Sequence, residues 1–115
     1  MEITHLFAGL VVSDFTKSCE WYERLFDSPP DVLPKEGEAV WHAGVSASVY
    51  ITAGEARFGG GRLTLAVKDL EGHAADLGRR GLTGEASVEG NGMRTLLLAD
   101  PDGNTIKFFE DPAAQ

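Results

Sequence analysis

A short internal repeat is the feature that most constrains the fold. Residues 10–15 read Leu-Val-Val-Ser-Asp-Phe, and residues 65–70 read Leu-Ala-Val-Lys-Asp-Leu. Each copy is an apolar strand segment that ends in an aspartate, a residue that caps a helix by accepting backbone N–H hydrogen bonds. A repeated strand and cap, each followed by a helical pattern, predicts two equivalent modules in one chain.

Apolar residues recur at helical spacing after each aspartate. After Asp14 they are Phe15, Cys19, Tyr22, Leu25 and Phe26, and the helix is predicted to end at Asp27 and Ser28-Pro29-Pro30. After Asp69 they are Leu70, Ala74 and Leu77, and Gly81 is placed for a left-handed C-cap. Cys19, the one cysteine, is predicted to be a small buried thiol and not a nucleophile.

Strand-like segments complete each half. In the first half they are Val32–Leu33, Ala39–Ala43 and Ala47–Thr52, and in the second half Ala86–Val88, Arg94–Ala99 and Thr105–Phe109. Each half therefore reads β-α-β-β-β. We expect a single α+β domain over residues 1–115, with modules at about 1–58 and 62–112 joined by a hinge at Gly59–Gly61.

A well-specified turn, Asp100-Pro101-Asp102-Gly103-Asn104, precedes the last strand. Pro101 presets φ for the turn, and Gly103 can adopt the positive φ that closes it. The alternation that follows predicts Ile106 and Phe108 on one face of the strand and Lys107 and Phe109 on the other.

The closing turn and strand, the repeat and the aromatic-rich helix segment Trp21–Phe26 resemble the vicinal oxygen chelate superfamily. This superfamily contains glyoxalase I, extradiol dioxygenases, fosfomycin-modifying enzymes and bleomycin-resistance proteins. The resemblance covers essentially the whole chain. It implies two βαβββ modules that form a curled mixed sheet around a cavity.

The resemblance also implies four metal-ligand positions, near the start of each module's first strand and on each last strand. They correspond here to Phe7, Thr52, Arg62 and Lys107, where a constant offset between the two repeats assigns Thr52. This set lacks imidazole and carboxylate donors, and its two cations would repel a divalent metal. We therefore expect no metal and no cofactor. A displaced set of His5, His42 and Glu110 is the weak alternative.

A cavity lined by aromatic and cationic side chains is expected instead. Its predicted ligand-binding residues are Phe7, Trp41, Tyr50, Thr52, Arg62, Arg94, Lys107 and Phe109. Aromatic rings can stack on a flat apolar group, and arginine can pair with a carboxylate or carbonyl-rich group. Lys107 could equally neutralise Glu38 or Glu55. The competing interpretation places the aromatic residues in the core and the arginines in solvent.

Three functions follow from this pattern. The first is a metal-independent small-molecule binding protein resembling bleomycin-resistance proteins, which the resemblance implies is a homodimer with clefts between its subunits. The second is a glyoxalase-like lyase or a dioxygenase with a displaced metal site. The third is a degenerate interaction module whose cavity is filled by its own side chains.

Charge and composition exclude other classes. The chain has ten basic and eighteen acidic residues, a net charge of −8, which repels a nucleic-acid backbone. No apolar run approaches the length of a membrane span, and a single cysteine forms no internal disulfide. We expect a cytoplasmic protein without a nucleic-acid or membrane partner.

Overall fold

The computed structural model describes residues 1–55 and 60–111, which form eight strands and two helices. The elements are β1 (Leu6–Val12), α1 (Phe15–Phe26), β2 (Val32–Lys35), β3 (Glu38–Gly44), β4 (Ala47–Ala53), β5 (Arg62–Val67), α2 (Leu70–Arg79), β6 (Glu85–Val88), β7 (Arg94–Ala99) and β8 (Thr105–Glu110). Within these residues, no helix has the length and apolar character needed to cross a membrane. The predicted β-α-β-β-β order of each half is confirmed.

Each module builds its own four-stranded mixed sheet. The strand order is β1-β4-β3-β2 in the first sheet and β5-β8-β7-β6 in the second. β1 runs parallel to β4 and β5 runs parallel to β8, while the remaining pairs are antiparallel. Within the described residues, no strand of one sheet pairs with the other, so the sheets do not close into a barrel. The predicted α+β fold class is confirmed.

The helix boundaries follow the predicted capping residues. The Asp14 carboxylate accepts the N–H of Lys17, and the Asp69 carboxylate accepts the N–H of Gly72. α1 stops at Asp27, which adopts a left-handed conformation with φ of 54°. Gly81 has φ of 83° just beyond α2, as its predicted C-cap role requires.

The helix-side faces of the two sheets share one hydrophobic core. The first sheet contributes Leu10, Val12 and Ile51, the second contributes Leu63, Ile106 and Phe108, and the helices add Trp21, Tyr22, Leu25 and Leu77. Because both sheets turn their helix sides toward this common core, their opposite faces point away from it. We call these the open faces of the two sheets.

The closing turn connects the two modules through a buried polar network. The Tyr22 hydroxyl donates to Asp100 Oδ2 at 2.7 Å, and the N–H groups of Asp102 and Asn104 donate to Asp100 Oδ1. The Asn104 amide also donates to Asp100 Oδ2, at 2.8 Å. The Ser13 hydroxyl and N–H both donate to the Asp102 carboxylate. We call these five residues the intermodule network.

Alkaline pH is expected to weaken the fold through Tyr22. Burial, followed by the hydrogen bond to Asp100 and the nearby carboxylate charges, raises the pKa of the Tyr22 phenol. Because the folded pKa is raised, this stabilisation is complete below the unfolded tyrosine pKa of about 10 and is lost as the pH rises above it.

At pH 11 the loss is about 1.4 kcal/mol relative to a variant without this phenol. Urea unfolding of the native chain and of Tyr22→Phe at pH 8 and pH 11 measures this loss. The free energy of unfolding should fall more between the two pH values in the native chain than in Tyr22→Phe. Equal dependence in the two proteins would contradict the role of this phenol.

Gly61 belongs to the predicted hinge, of which Gly59 lies outside the described residues. Its N–H donates to Asn104 Oδ1 at 2.8 Å, and its carbonyl oxygen accepts the N–H of Thr105 at 2.9 Å. A Cβ at this position would lie 2.5 Å from Leu10 Cδ2. Glycine is therefore required here by the close approach of the two modules, and the hinge motion stays a prediction.

Candidate ligand-binding faces

The strand registers define which side chains share each open face, since paired residues lie on the same side of a sheet. The first open face carries Phe7, Gly9, Val11, Glu38, Val40, His42, Ser48, Tyr50 and Thr52. The second open face carries Arg62, Thr64, Ala66, Thr95, Leu97, Ala99, Thr105, Lys107 and Phe109. Six of the eight predicted ligand-binding residues lie on these two faces, three on each.

The first open face presents aromatic surface. The ring of Tyr50 lies across the backbone of Gly9, where any added Cβ would collide with the ring carbon Cζ. Glycine at this position therefore lets the ring lie flat on β1. Phe7 is 58% exposed on the same face, and Val11 is also exposed. Exposed aromatic surface of this kind favours a ligand or a partner surface.

The first-module equivalent of Lys107 is Tyr50 and not Thr52. Gly9 pairs with Tyr50, and the corresponding Thr64 pairs with Lys107. The assignment of Thr52 assumes a constant offset between the two repeats, and this assumption is wrong. The paired residues Arg62 and Thr105 are 43 positions apart, whereas the equivalent pair Phe7 and Ser48 is 41 positions apart. Thr52 nonetheless lies on the open face.

The second open face presents charge. The Lys107 side chain is 19% exposed, and its Nζ lies 3.4 Å from both carboxylate oxygens of Glu89. The partner is therefore Glu89 and not Glu38 or Glu55, which belong to the first module. Arg62 is exposed and Phe109 is half-buried on the same face. The Lys107 ammonium is thus paired with one carboxylate of its own module.

Two predicted ligand-binding residues, Trp41 and Arg94, lie on the helix sides of their sheets. Trp41 is 1% exposed, packs against Tyr22 and Phe26, and donates its indole N–H to the Ser28 carbonyl oxygen at 3.0 Å. It belongs to the core. Its assignment to the cavity is wrong because Trp41 pairs with Val49, whose side chain faces α1.

Arg94 lies beside α2, where its guanidinium is 3.8 Å from Glu71 and 3.9 Å from Glu110. It also lines a cleft of about 380 Å³ between α2 and the strands β6 and β7. Its assignment to the same cavity as Lys107 is wrong, because alternation along β7 puts Arg94 and its neighbour Thr95 on opposite faces.

The displaced metal set is also not assembled. His5 Nε2 and His42 Nδ1 both contact Ser48 Oγ, at 2.8 Å and 3.1 Å. Glu110, however, lies on the helix side of the other sheet and accepts the N–H of Leu70. Across residues 1–55 and 60–111, no group of three or more histidine, cysteine or acidic side chains is arranged to hold a metal ion.

The four ligand positions that the sequence resemblance implies do not fit a divalent metal. In the observed register they are Phe7, Tyr50, Arg62 and Lys107. A phenyl ring supplies no lone pair, and the guanidinium and ammonium groups are hydrogen-bond donors only. The Tyr50 oxygen is thus the single acceptor atom among these four side chains, which is too few to hold a divalent ion.

Cys19 has no nucleophilic environment. Burial, followed by the negative charges of Glu23 and Glu20, raises the pKa of its thiol. The thiol is thus protonated at neutral pH, whereas reactive cysteines have lowered pKa values. This agrees with its prediction as a packing residue.

Two βαβββ modules, each with a sheet whose first and last strands pair in parallel, define a protein of the vicinal oxygen chelate superfamily. The chain belongs to the glyoxalase/bleomycin resistance protein family. It is similar to the crystal structure of the glyoxalase / bleomycin resistance protein from Catenulispora acidiphila DSM 44928, with a TM-score of 0.87 and 35% identity. That match covers 94% of this chain and 98% of the other.

Two more distant solved structures share the fold. TnmS3, an antibiotic binding protein from Streptomyces sp. CB03234, matches with a TM-score of 0.78 and 23% identity over 96% of this chain and 98% of that chain. Lactoylglutathione lyase from Agrobacterium tumefaciens matches with a TM-score of 0.73 and 13% identity over 94% and 93%. No protein-family model and no curated protein sequence matches the chain.

Proposed function

We propose that this chain is a metal-independent small-molecule binding protein that acts as a homodimer. Each ligand lies between the first open face of one protomer and the second open face of its partner. The observation that carries the proposal is that each open face holds half of an aromatic and cationic site. The two halves point away from the shared core and so do not face each other within one chain.

The chemistry of the two faces defines the ligand class. Phe7 and Tyr50 offer stacking surface for a flat apolar group. Arg62 and Lys107 offer hydrogen-bond donors and positive charge for an anionic or carbonyl-rich group. A ligand with both features, an aromatic system bearing acidic or carbonyl oxygens, matches both faces. TnmS3, which shares the fold, is an antibiotic binding protein, and this supports a small-molecule ligand.

The test uses 8-anilinonaphthalene-1-sulfonate, a fluorescent probe with a flat aromatic system and an anionic group. We expect saturable binding at one probe per chain, unchanged by EDTA. We expect Tyr50→Ala and Lys107→Ala each to weaken it at least about tenfold, or about 1.4 kcal/mol. Lys68→Ala, at an exposed lysine after β5 that lies outside both open faces, is the matched control and should bind as the native chain does.

Two results would contradict the proposed dimeric binding site. One is equal probe affinity in Tyr50→Ala, Lys107→Ala and Lys68→Ala, which would place the probe elsewhere on the protein. The other is a monomeric mass in sedimentation equilibrium at the concentrations where the probe binds, because the proposed cleft needs two protomers. Loss of probe binding in EDTA would contradict the metal-independent part of the proposal.

A further inference from the structure

Two histidines from distant parts of the sequence converge on one hydroxyl group beside the first open face. His5 precedes β1, His42 lies in β3, and Ser48 lies in β4 between them. His5 Nε2 is 2.8 Å and His42 Nδ1 is 3.1 Å from Ser48 Oγ. Two imidazole nitrogens thus lie within hydrogen-bond distance of a single atom.

The serine hydroxyl and the two imidazole rings differ in their exposure to solvent. Ser48 is 2% exposed, whereas His5 is half-buried and His42 is exposed. The hydroxyl is therefore buried beneath the two rings, whereas both rings reach solvent. The His5 ring is also held by Phe7, with ring centroids 4.5 Å apart. Both imidazoles are oriented before any ligand arrives.

The Ser48 hydroxyl can pair with both imidazoles at once. It can donate one proton, so one imidazole nitrogen accepts from Ser48 and the other must donate to it. Neutral imidazole is a ligand for divalent transition metals, and two imidazoles directed at one point resemble a chelate. A metal ion bonded to both nitrogens would replace the single shared hydroxyl contact.

The surroundings favour a cation at this point. The Asp31 carboxylate accepts the backbone N–H of His42 at 2.7 Å, which places a negative charge beside the pair. Arg62 and Lys107 lie on the other sheet. The chain as a whole carries a net charge of −8, which raises the local concentration of cations.

We propose that His5 and His42 form a two-imidazole site for a divalent transition metal, with Cu²⁺ preferred over Ni²⁺ and Zn²⁺. The order follows from the general affinity of nitrogen ligands for these ions. The site adjoins Phe7 at the edge of the first open face, whereas Arg62 and Lys107 lie on the other sheet. Solvent completes the coordination of the ion.

The experiment titrates the untagged chain with Cu²⁺ and records both isothermal calorimetry and the electron paramagnetic resonance spectrum. We expect one Cu²⁺ per chain, with hyperfine structure from two nitrogen ligands. His5→Gln and His42→Gln should each weaken binding at least about tenfold, or about 1.4 kcal/mol. Glutamine retains a hydrogen-bonding group beside Ser48, and far-UV circular dichroism verifies that each variant is folded.

His73→Gln is the matched control, because His73 is exposed on α2 and lies outside this pair. It should bind Cu²⁺ as the native chain does. Binding that is lost in His5→Gln but retained in His42→Gln would overturn the proposal, since it would place the ion at the chain's amino terminus. A native spectrum without two-nitrogen coupling would overturn it as well, whatever the variants do.

Discussion

Asp100→Ala is expected to lower the free energy of unfolding by about 3–5 kcal/mol, because it removes the central acceptor of the intermodule network. The Tyr22 hydroxyl and the Asn104 amide both donate to this carboxylate in a buried setting. Leaving each of these donors unpaired costs about 1–3 kcal/mol. Two backbone N–H groups of the turn lose the same acceptor.

Urea unfolding at pH 7 and fixed protein concentration measures the change, followed by tryptophan fluorescence. Glu20→Gln, which removes one negative charge from an exposed position on α1, is the control and should stay within about 0.5 kcal/mol of the native value. Tyr22→Phe removes one of the contacts, and its effect should not add to that of Asp100→Ala. A loss below about 1 kcal/mol for Asp100→Ala would show that the network does not couple the modules.

Trp41→Ala is expected to cost about 3–5 kcal/mol of stability, the range for truncating a large buried aromatic side chain. The indole is 1% exposed, lies between Tyr22 and Phe26, and satisfies the Ser28 carbonyl oxygen. For a domain of this size the change lowers the melting temperature by at least about 12 °C. Differential scanning calorimetry measures it.

Phe7→Ala is the matched comparison, since both aromatic residues are candidates for the ligand cavity on sequence grounds. Phe7 is 58% exposed, so its truncation should change the stability by less than about 1 kcal/mol. The folded fraction of Trp41→Phe should bind the fluorescent probe as the native chain does, because Trp41 lies on the helix side of its sheet. Weaker probe binding by well-folded Trp41→Phe would show that Trp41 belongs to the ligand site after all.

The fold was predictable because its signals are local. Asp14 and Asp69 mark the two helix starts by a side-chain hydrogen bond to a residue three positions later. Alternation along β8 separates Ile106 and Phe108 from Lys107 and Phe109, as the buried and half-buried residues of that strand show. These patterns need no knowledge of which strands are neighbours.

The site was less predictable because it depends on long-range register. In β3 the run Ala39-Val40-Trp41 is apolar throughout and all three residues are buried, so alternation does not reveal the side on which Trp41 lies. The meeting of His5 with Ser48 joins residues 43 positions apart. No spacing rule on a single strand or helix indicates such a contact.

Electrostatic partners were missed for the same reason. Lys107 is paired with Glu89, which follows β6, and Arg94 is paired with Glu71 on α2 and with Glu110 on β8. Each pair joins different elements of the second module. The sequence indicates that such charges exist, but the partner is selected by how the helix and strands pack.

The strand hydrogen bonds of each module stay within that module, so the two halves of the chain can differ in length independently. A residue inserted between β1 and β4 is accommodated within the first module alone, since no ladder passes to the second sheet within the described residues. The two-residue difference between Phe7–Ser48 and Arg62–Thr105 has this character. An insertion or deletion in one half therefore leaves the strand pairing of the other half unchanged. The condition is that the closing turn keeps its contacts with α1.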